Sequence, residues 1–155
     1  MRQYVCTFCF SPDRRRVLLI RKNRPAWQAG KLNGVGGKVE PGETPAAAAR
    51  REFREETNLD LPESAFAHVL TLAGPDDFGS GAPWAGHFFR AFAPVDEARA
   101  VTDEPLEIHP VTPLPVDTIP NLRWMIPMVL DDDVAQGAYA VTHRAVGGGS
   151  VGRPR

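Results

Sequence analysis

The chain has 155 residues, with 18 basic and 19 acidic side chains for a formal net charge of −1, and is 43% hydrophobic and 24% charged. That is the composition of an ordinary water-soluble domain, long enough to bury a core without metal or disulfide staples. It lacks the basic excess of a duplex nucleic acid binder, and no run approaches the roughly 20 apolar residues of a membrane span. The N-terminus does not follow the basic, apolar, small-residue order of a signal peptide, so the expected location is the cytoplasm. The expected organisation is one domain over residues 1–146, monomeric or homodimeric, and a tail over 147–155 (Gly-Gly-Gly-Ser-Val-Gly-Arg-Pro-Arg) too poor in apolar residues to fold.

Residues 3–10 read as a first strand and Val17–Ile20 as a second, joined by a Ser11-Pro12-Asp13 turn into a hairpin. Cys6 and Cys9 lie inside the first strand. Three positions apart, they point to opposite faces, and two thiols do not supply a zinc set, so they read as reduced core cysteines. Residues 23–37 hold Pro25, Gly30, Gly34, Gly36 and Gly37 and read as loop or strongly bent strand. A helix is predicted over 45–57, with Thr44 as N-cap, Pro45 in the first turn and an apolar stripe of Ala46, Ala49 and Phe53. Asn58 suits the left-handed residue beyond its end. Strands follow at Ala67–Leu72 and Gly86–Phe92, flanking a glycine-rich loop at 74–81, with a short strand near Ile108–Val111. A second helix is expected over 121–130, with Pro127 kinking it or ending its first turn. Strands and two helices together indicate an α/β layered domain.

The first helix carries Glu52, Glu55 and Glu56 within a sector of about 100° beside its apolar stripe. Like-charge i,i+3 and i,i+4 pairs each destabilise a helix by roughly 0.2–0.5 kcal/mol, and the Arg51–Glu55 pair offsets only one of them. A hard divalent cation reverses the sign of that repulsion, whereas a solvated face paired with Arg50, Arg51 and Arg54 needs none.

The flanking residues extend the pattern. Gly37, Glu43, Arg51, Glu52, Phe53, Glu55, Glu56 and Leu59 fall on G-x5-E-x7-R-E-U-x-E-E-x-G-U, where U is bulky and apolar. Residues 37–59 thus closely resemble the Nudix box, with Asn58 standing where the family has Gly. The resemblance implies an α/β/α sandwich around a mixed sheet and Mg²⁺-dependent hydrolysis of a nucleoside diphosphate linked to another moiety, with Mn²⁺ able to substitute. It implies that Glu52, Glu55 and Glu56, joined by the Gly37 carbonyl, hold the metal, that Arg51 orients the glutamates and that Glu43 braces the loop. A further acid from a distant loop is expected to complete the catalytic set: Glu104 is preferred, with Asp103 and Glu97 as rivals. No G-x-G-x-x-G or G-x-x-x-x-G-K-[ST] run competes with this assignment.

Residues 27–43 also look like the MutT-type enzymes of the family, which hydrolyse purine nucleoside triphosphates, oxidised ones included. That likeness puts Asn33 and Asn121 forward as base readers and Lys38 as a further substrate contact. A carboxamide offers a base edge both a donor and an acceptor. Trp27 and Trp124 are able to stack on a base, or equally to serve in packing. Pro75, sixteen residues beyond Leu59, is the one mark of the alternative, an ADP-ribose hydrolase. A nucleotide-sensing module without catalysis would be expected to lose Arg51, Glu52, Glu55 or Glu56, and all four are present.

Overall fold

A computed structural model describes residues 1–75, 81–137 and 139–142. Most of the glycine-rich loop at 74–81 and the whole tail at 147–155 lie outside the described residues.

The organising strand is β1 (Arg2–Phe10), whose alternation sends Val5 and Cys9 to one face and Phe8 and Phe10 to the other. It pairs antiparallel with β2 (Arg16–Arg21) only at Cys9↔Leu18 and Phe10↔Val17, and then the two strands part. The segment read as loop or bent strand at 23–37 fills the gap with two short strands. β3 (Leu32–Asn33) lies antiparallel to β2, and β4 (Val35–Lys38) lies antiparallel to β1 along Tyr4–Thr7. On its other edge β1 runs parallel with β6 (Trp84–Phe92) for its whole length. β5 (Ala67–Gly74) pairs antiparallel with β6, β7 (Leu106–Pro110) antiparallel with β2, and β8 (Tyr139–Thr142) parallel with β5. The result is the expected mixed sheet, with eight strands among the described residues.

Helix α1 (Pro45–Thr57) covers one face and α2 (Leu122–Leu130), followed by the short α3 (Asp132–Ala135), covers the other. Val5, Cys9, Leu18, Ile20, Val35 and Phe89 pack under Ala48, Ala49 and Phe53 of α1. Phe8, Phe10, Leu19, Leu32 and Phe88 pack under Leu122, Met125 and Ile126 of α2. Cys9 belongs to the α1 side and Cys6 packs on the α2 side; both thiols are free. A register shift between His68 and Leu70 places Val69 and Leu70, adjacent in sequence, in the same α2-side core.

α1 starts and stops where its capping residues dictate. The Thr44 side chain accepts from Ala47 N at 3.1 Å, and Asn58 takes the left-handed conformation (φ 59°) while its N–H returns to Arg54 O. α2 contains Pro127 and spans nearly the expected 121–130. Arg123, whose carbonyl loses its usual donor there, lies with Pro127 on the exposed side, where that carbonyl is open to solvent. The sequence reading also omitted β8, α3 and single 3-10 turns at Glu63–Ala65 and Val95–Glu97.

The αL geometry at Asn58 sets a measurable preference. Asn58→Ala is expected to lower stability by about 1 kcal/mol, and Asn58→Gly to leave it within about 0.5 kcal/mol of the parent. Urea unfolding of the three proteins compares them directly.

Candidate active site

The site forms where α1 crosses β4. Val35 lies in the α1-side core, so by strand alternation Gly37 faces the same helix. A Cβ on Gly37 would stand 2.5 Å from the Glu52 carboxylate, and one on Gly36 would stand 1.9 Å from the Val5 carbonyl oxygen. Only glycine at these two positions lets β4 lie flat on β1 and lets the helix glutamates reach the strand.

Arg51 organises what approaches. Its Nε and Nη2 donate to the two oxygens of Glu43 at 2.8 and 2.9 Å, and Nη2 also donates to the Lys38 carbonyl at 3.0 Å. Its Nη1 donates to Glu52 Oε1 at 2.9 Å and Glu55 Oε2 at 3.3 Å. Glu43 in turn accepts from Glu40 N at 3.1 Å, which closes the loop between β4 and α1. The Arg51 guanidinium holds the Glu43 carboxyl below its usual range, whereas burial raises that of Glu52.

Glu56 is more deeply buried, at 9% exposure, and its Oε2 accepts from Gly36 N at 3.2 Å. Burial pushes its carboxyl up to about 7, against the opposing pull of Lys22. Lys22 was missed by sequence reading. It lies two residues beyond the buried Ile20, so strand alternation points it at α1, a signal that period-2 counting carries. Its Nζ pairs with Glu104 Oε1 at 2.7 Å, and Glu104 Oε2 accepts from Asn23 N at 2.6 Å. Of the three distant acids, Glu104 alone turns inward, at 4% exposure. Asp103 is spent on an exposed pair with Arg24 and Glu97 stays on the surface.

Among the described residues no three His, Cys, Asp or Glu side chains converge closely enough to cage an ion. The donor set still fits a magnesium-type ion, which takes one or two carboxylates and completes an octahedron with water and substrate phosphates. Glu52 Oε2 and Glu56 Oε1 accept no hydrogen bond among the described residues, and the missing Cβ of Gly37 leaves a cradle beside Glu52. Glu55 is mostly exposed, at the solvent side of the pair.

The expected base readers gather less completely. Asn33, at the end of β3, accepts at Oδ1 from Gly34 N (2.8 Å) and donates from Nδ2 to Gln28 Oε1 (3.0 Å), a partner the sequence did not suggest. Asn121 precedes α2 in helical backbone geometry without capping it, and its Oδ1 is buried with no partner. Its segment adjoins β3: Leu32 N donates to Asp117 O and Ile119 N to Leu32 O, both at 3.0 Å. Trp27 and Trp124 remain 42% and 45% exposed, outside the core. Lys38 gives its carbonyl to Arg51 while the residue stays exposed. Pro75 follows directly on β5.

Paired carboxylates beside a glycine cradle are the donor set of a divalent-cation site, and comparison with known proteins gives the family. The NUDIX domain family model matches residues 1–138. The chain therefore belongs to the Nudix family. It is 59% identical over 46 residues to an oxidized purine nucleoside triphosphate hydrolase of Danio rerio, covering 30% of this chain and 29% of that protein. A protein of the same name from Mus musculus is 43% identical over 60 residues, covering 39% and 36%. The chain thus matches only about a third of the length of these curated relatives. Among solved structures, a MutT NUDIX hydrolase from Burkholderia pseudomallei superposes with a TM-score of 0.68 at 25% identity, covering 83% of this chain and 97% of that one. No helix among the described residues is long and apolar enough to cross a membrane.

Burial of Glu56 has a stability consequence in metal-free protein. Its carboxyl is held at about 7 in the fold against 4.5 in the open chain, so stability is lost as pH rises from 4.5 through 7. In EDTA, Glu56→Gln is expected to match the parent near pH 4 and to exceed it by about 3 kcal/mol at pH 8. Unfolding curves across that range test it, and a constant difference at all pH values would contradict it.

Proposed function

We propose that this protein is a Mg²⁺-dependent pyrophosphohydrolase, with Mn²⁺ as a substitute, acting in the cytoplasm on purine nucleoside triphosphates, oxidised purines included, and releasing nucleoside monophosphate and pyrophosphate. The observation that carries this reading is the pair of carboxylates, half-buried Glu52 and buried Glu56, drawn against Gly37 and Gly36 with one oxygen of each uncommitted. The two curated relatives, both named as oxidized purine nucleoside triphosphate hydrolases, support the substrate class.

Glu52, Glu56 and the Gly37 carbonyl would hold the cation, with Glu55 reaching in from solvent. When bound, the cation neutralises phosphate charge and lowers the pKa of the attacking water. Arg51 keeps the glutamates aimed and the β4–α1 loop shut. Glu104 takes the water proton on Oε1; the water oxygen bonds to phosphorus, and the bridging P–O bond breaks to free pyrophosphate. Lys22 must first leave that oxygen, and an incoming polyphosphate offers its ammonium a more highly charged partner than one carboxylate. Asn33 and the buried, unpartnered Asn121 Oδ1 read the base, with Trp27 and Trp124 as stacking surfaces.

The test is product analysis on the common (deoxy)nucleoside triphosphates, an oxidised dGTP, ADP-ribose and a dinucleoside polyphosphate, with Mg²⁺ and with EDTA. Monophosphate and pyrophosphate from purine triphosphates only, abolished by EDTA, is the expected result. AMP from ADP-ribose alone would replace the substrate assignment. Glu52→Gln and Glu56→Gln are expected to remove turnover, so full activity in Glu56→Gln refutes the metal assignment. Glu104→Gln is expected to lower kcat by about 10²-fold or more with little change in KM.

A further inference from the structure

The hydrogen bonds around Asn33 have a direction, and that direction limits what the site is able to recognise. A backbone N–H is only ever a donor. Gly34 N therefore fixes which end of the Asn33 carboxamide is oxygen, at 2.8 Å. The nitrogen end must then face Gln28, and the 3.0 Å contact from Asn33 Nδ2 fixes Gln28 with its oxygen inward. The Cys6 thiol adds a weak donor to Asn33 Oδ1 at 3.9 Å. Both lone-pair positions of Asn33 Oδ1 are thus taken within the protein. What remains is one N–H on Asn33 and both N–H groups of Gln28 Nε2, none of which has another partner among the described residues.

Gln28 is placed to hold this arrangement. Its N–H donates to Pro25 O and its carbonyl accepts from Lys31 N, each at 2.9 Å, while Lys22 N donates to Lys31 O at 2.9 Å and Gly30 N to Lys22 O at 2.8 Å. The turn carrying Gln28 is therefore tied, through Gly30 and Lys31, to Lys22 just beyond β2. Both side chains are half-buried, so their remaining donors are available to a ligand but not lost in bulk water.

We infer that Gln28 is a specificity-determining residue: by capturing Asn33 as a donor and presenting its own N–H groups, it makes the site select 6-oxopurines over 6-aminopurines. Guanine and hypoxanthine place an acceptor at position 6, where adenine places an amino donor. A donor-only pair satisfies the first and leaves the second with two donors facing each other. This rests on the reading of Asn33 as a base contact given above.

The experiment compares dITP with dATP, which differ at position 6, by kcat/KM, and IMP with AMP by Kd in the absence of metal. The parent is expected to favour the 6-oxo member of both pairs by about tenfold or more. Gln28→Ala should reduce the ratio several-fold through weaker handling of the 6-oxo ligand. Gln28→Glu still accepts from Asn33 but offers no donor, and should bring the ratio to about one or invert it. Asn33→Ala is the control. If it changes the ratio while both Gln28 variants keep the parent ratio, the inference about Gln28 fails and the base-reading role of Asn33 stands. If neither position changes the ratio, or the parent shows no preference in either assay, both fall. Melting temperatures of the variants separate loss of fold from loss of selectivity.

Discussion

The arrangement depends first on one guanidinium. Arg51 uses its planar fork on Glu43, its Nη1 on Glu52 and Glu55, and its remaining reach on the Lys38 carbonyl. A lysine has three donors radiating from a point and does not satisfy this fixed, nearly coplanar set. Without such a group, Glu43, Glu52 and Glu55 would repel one another in a half-buried space. With it, the carboxylates sit close together, and Glu52 keeps one oxygen unspent. The same residue joins the strand, the loop and the helix, so the acidic face and the backbone beside it move as one body.

The second requirement is room. β1 and β2 part after two residue pairs, and the bent β3–β4 segment enters the opening. That puts a strand end directly beneath α1, and the paired glycines allow the last few ångströms of approach. Lys22 and Glu104 arrive from the opposite side of the same opening, just beyond the end of β2 and on the loop before β7. The sheet is therefore both core and scaffold, and charge gathers where β1 and β2 part.

Much of this was legible because it is local. Thr44, Pro45, the alanines and Asn58 bound α1 by rules that act within a single turn, and the box of residues 37–59 carries its spacing in one continuous stretch. What escaped is mostly non-local or too short to show a period. β3 and β4, whose segment reads as loop or bent strand in the sequence, have two and four residues and owe their extended form to partners in β1 and β2. β8 lies in a stretch whose side chains are exposed, so no burial pattern announces it. Lys22 and Gln28 stand outside the box, and their roles come from contacts made across the fold or around a turn. Pro127, expected to kink the helix or end its first turn, sits inside α2 with Arg123, whose carbonyl loses a donor, on the exposed side.

The order of the strands also bears on how the chain reaches this state as it is synthesised. β1 satisfies one edge with neighbours made within the next few dozen residues, but its other edge waits for β6, about 80 residues further on. The strand at the centre of the finished sheet is thus, for much of translation, an open edge with Val5, Phe8 and Phe10 on its faces. Such an edge invites pairing with other nascent chains.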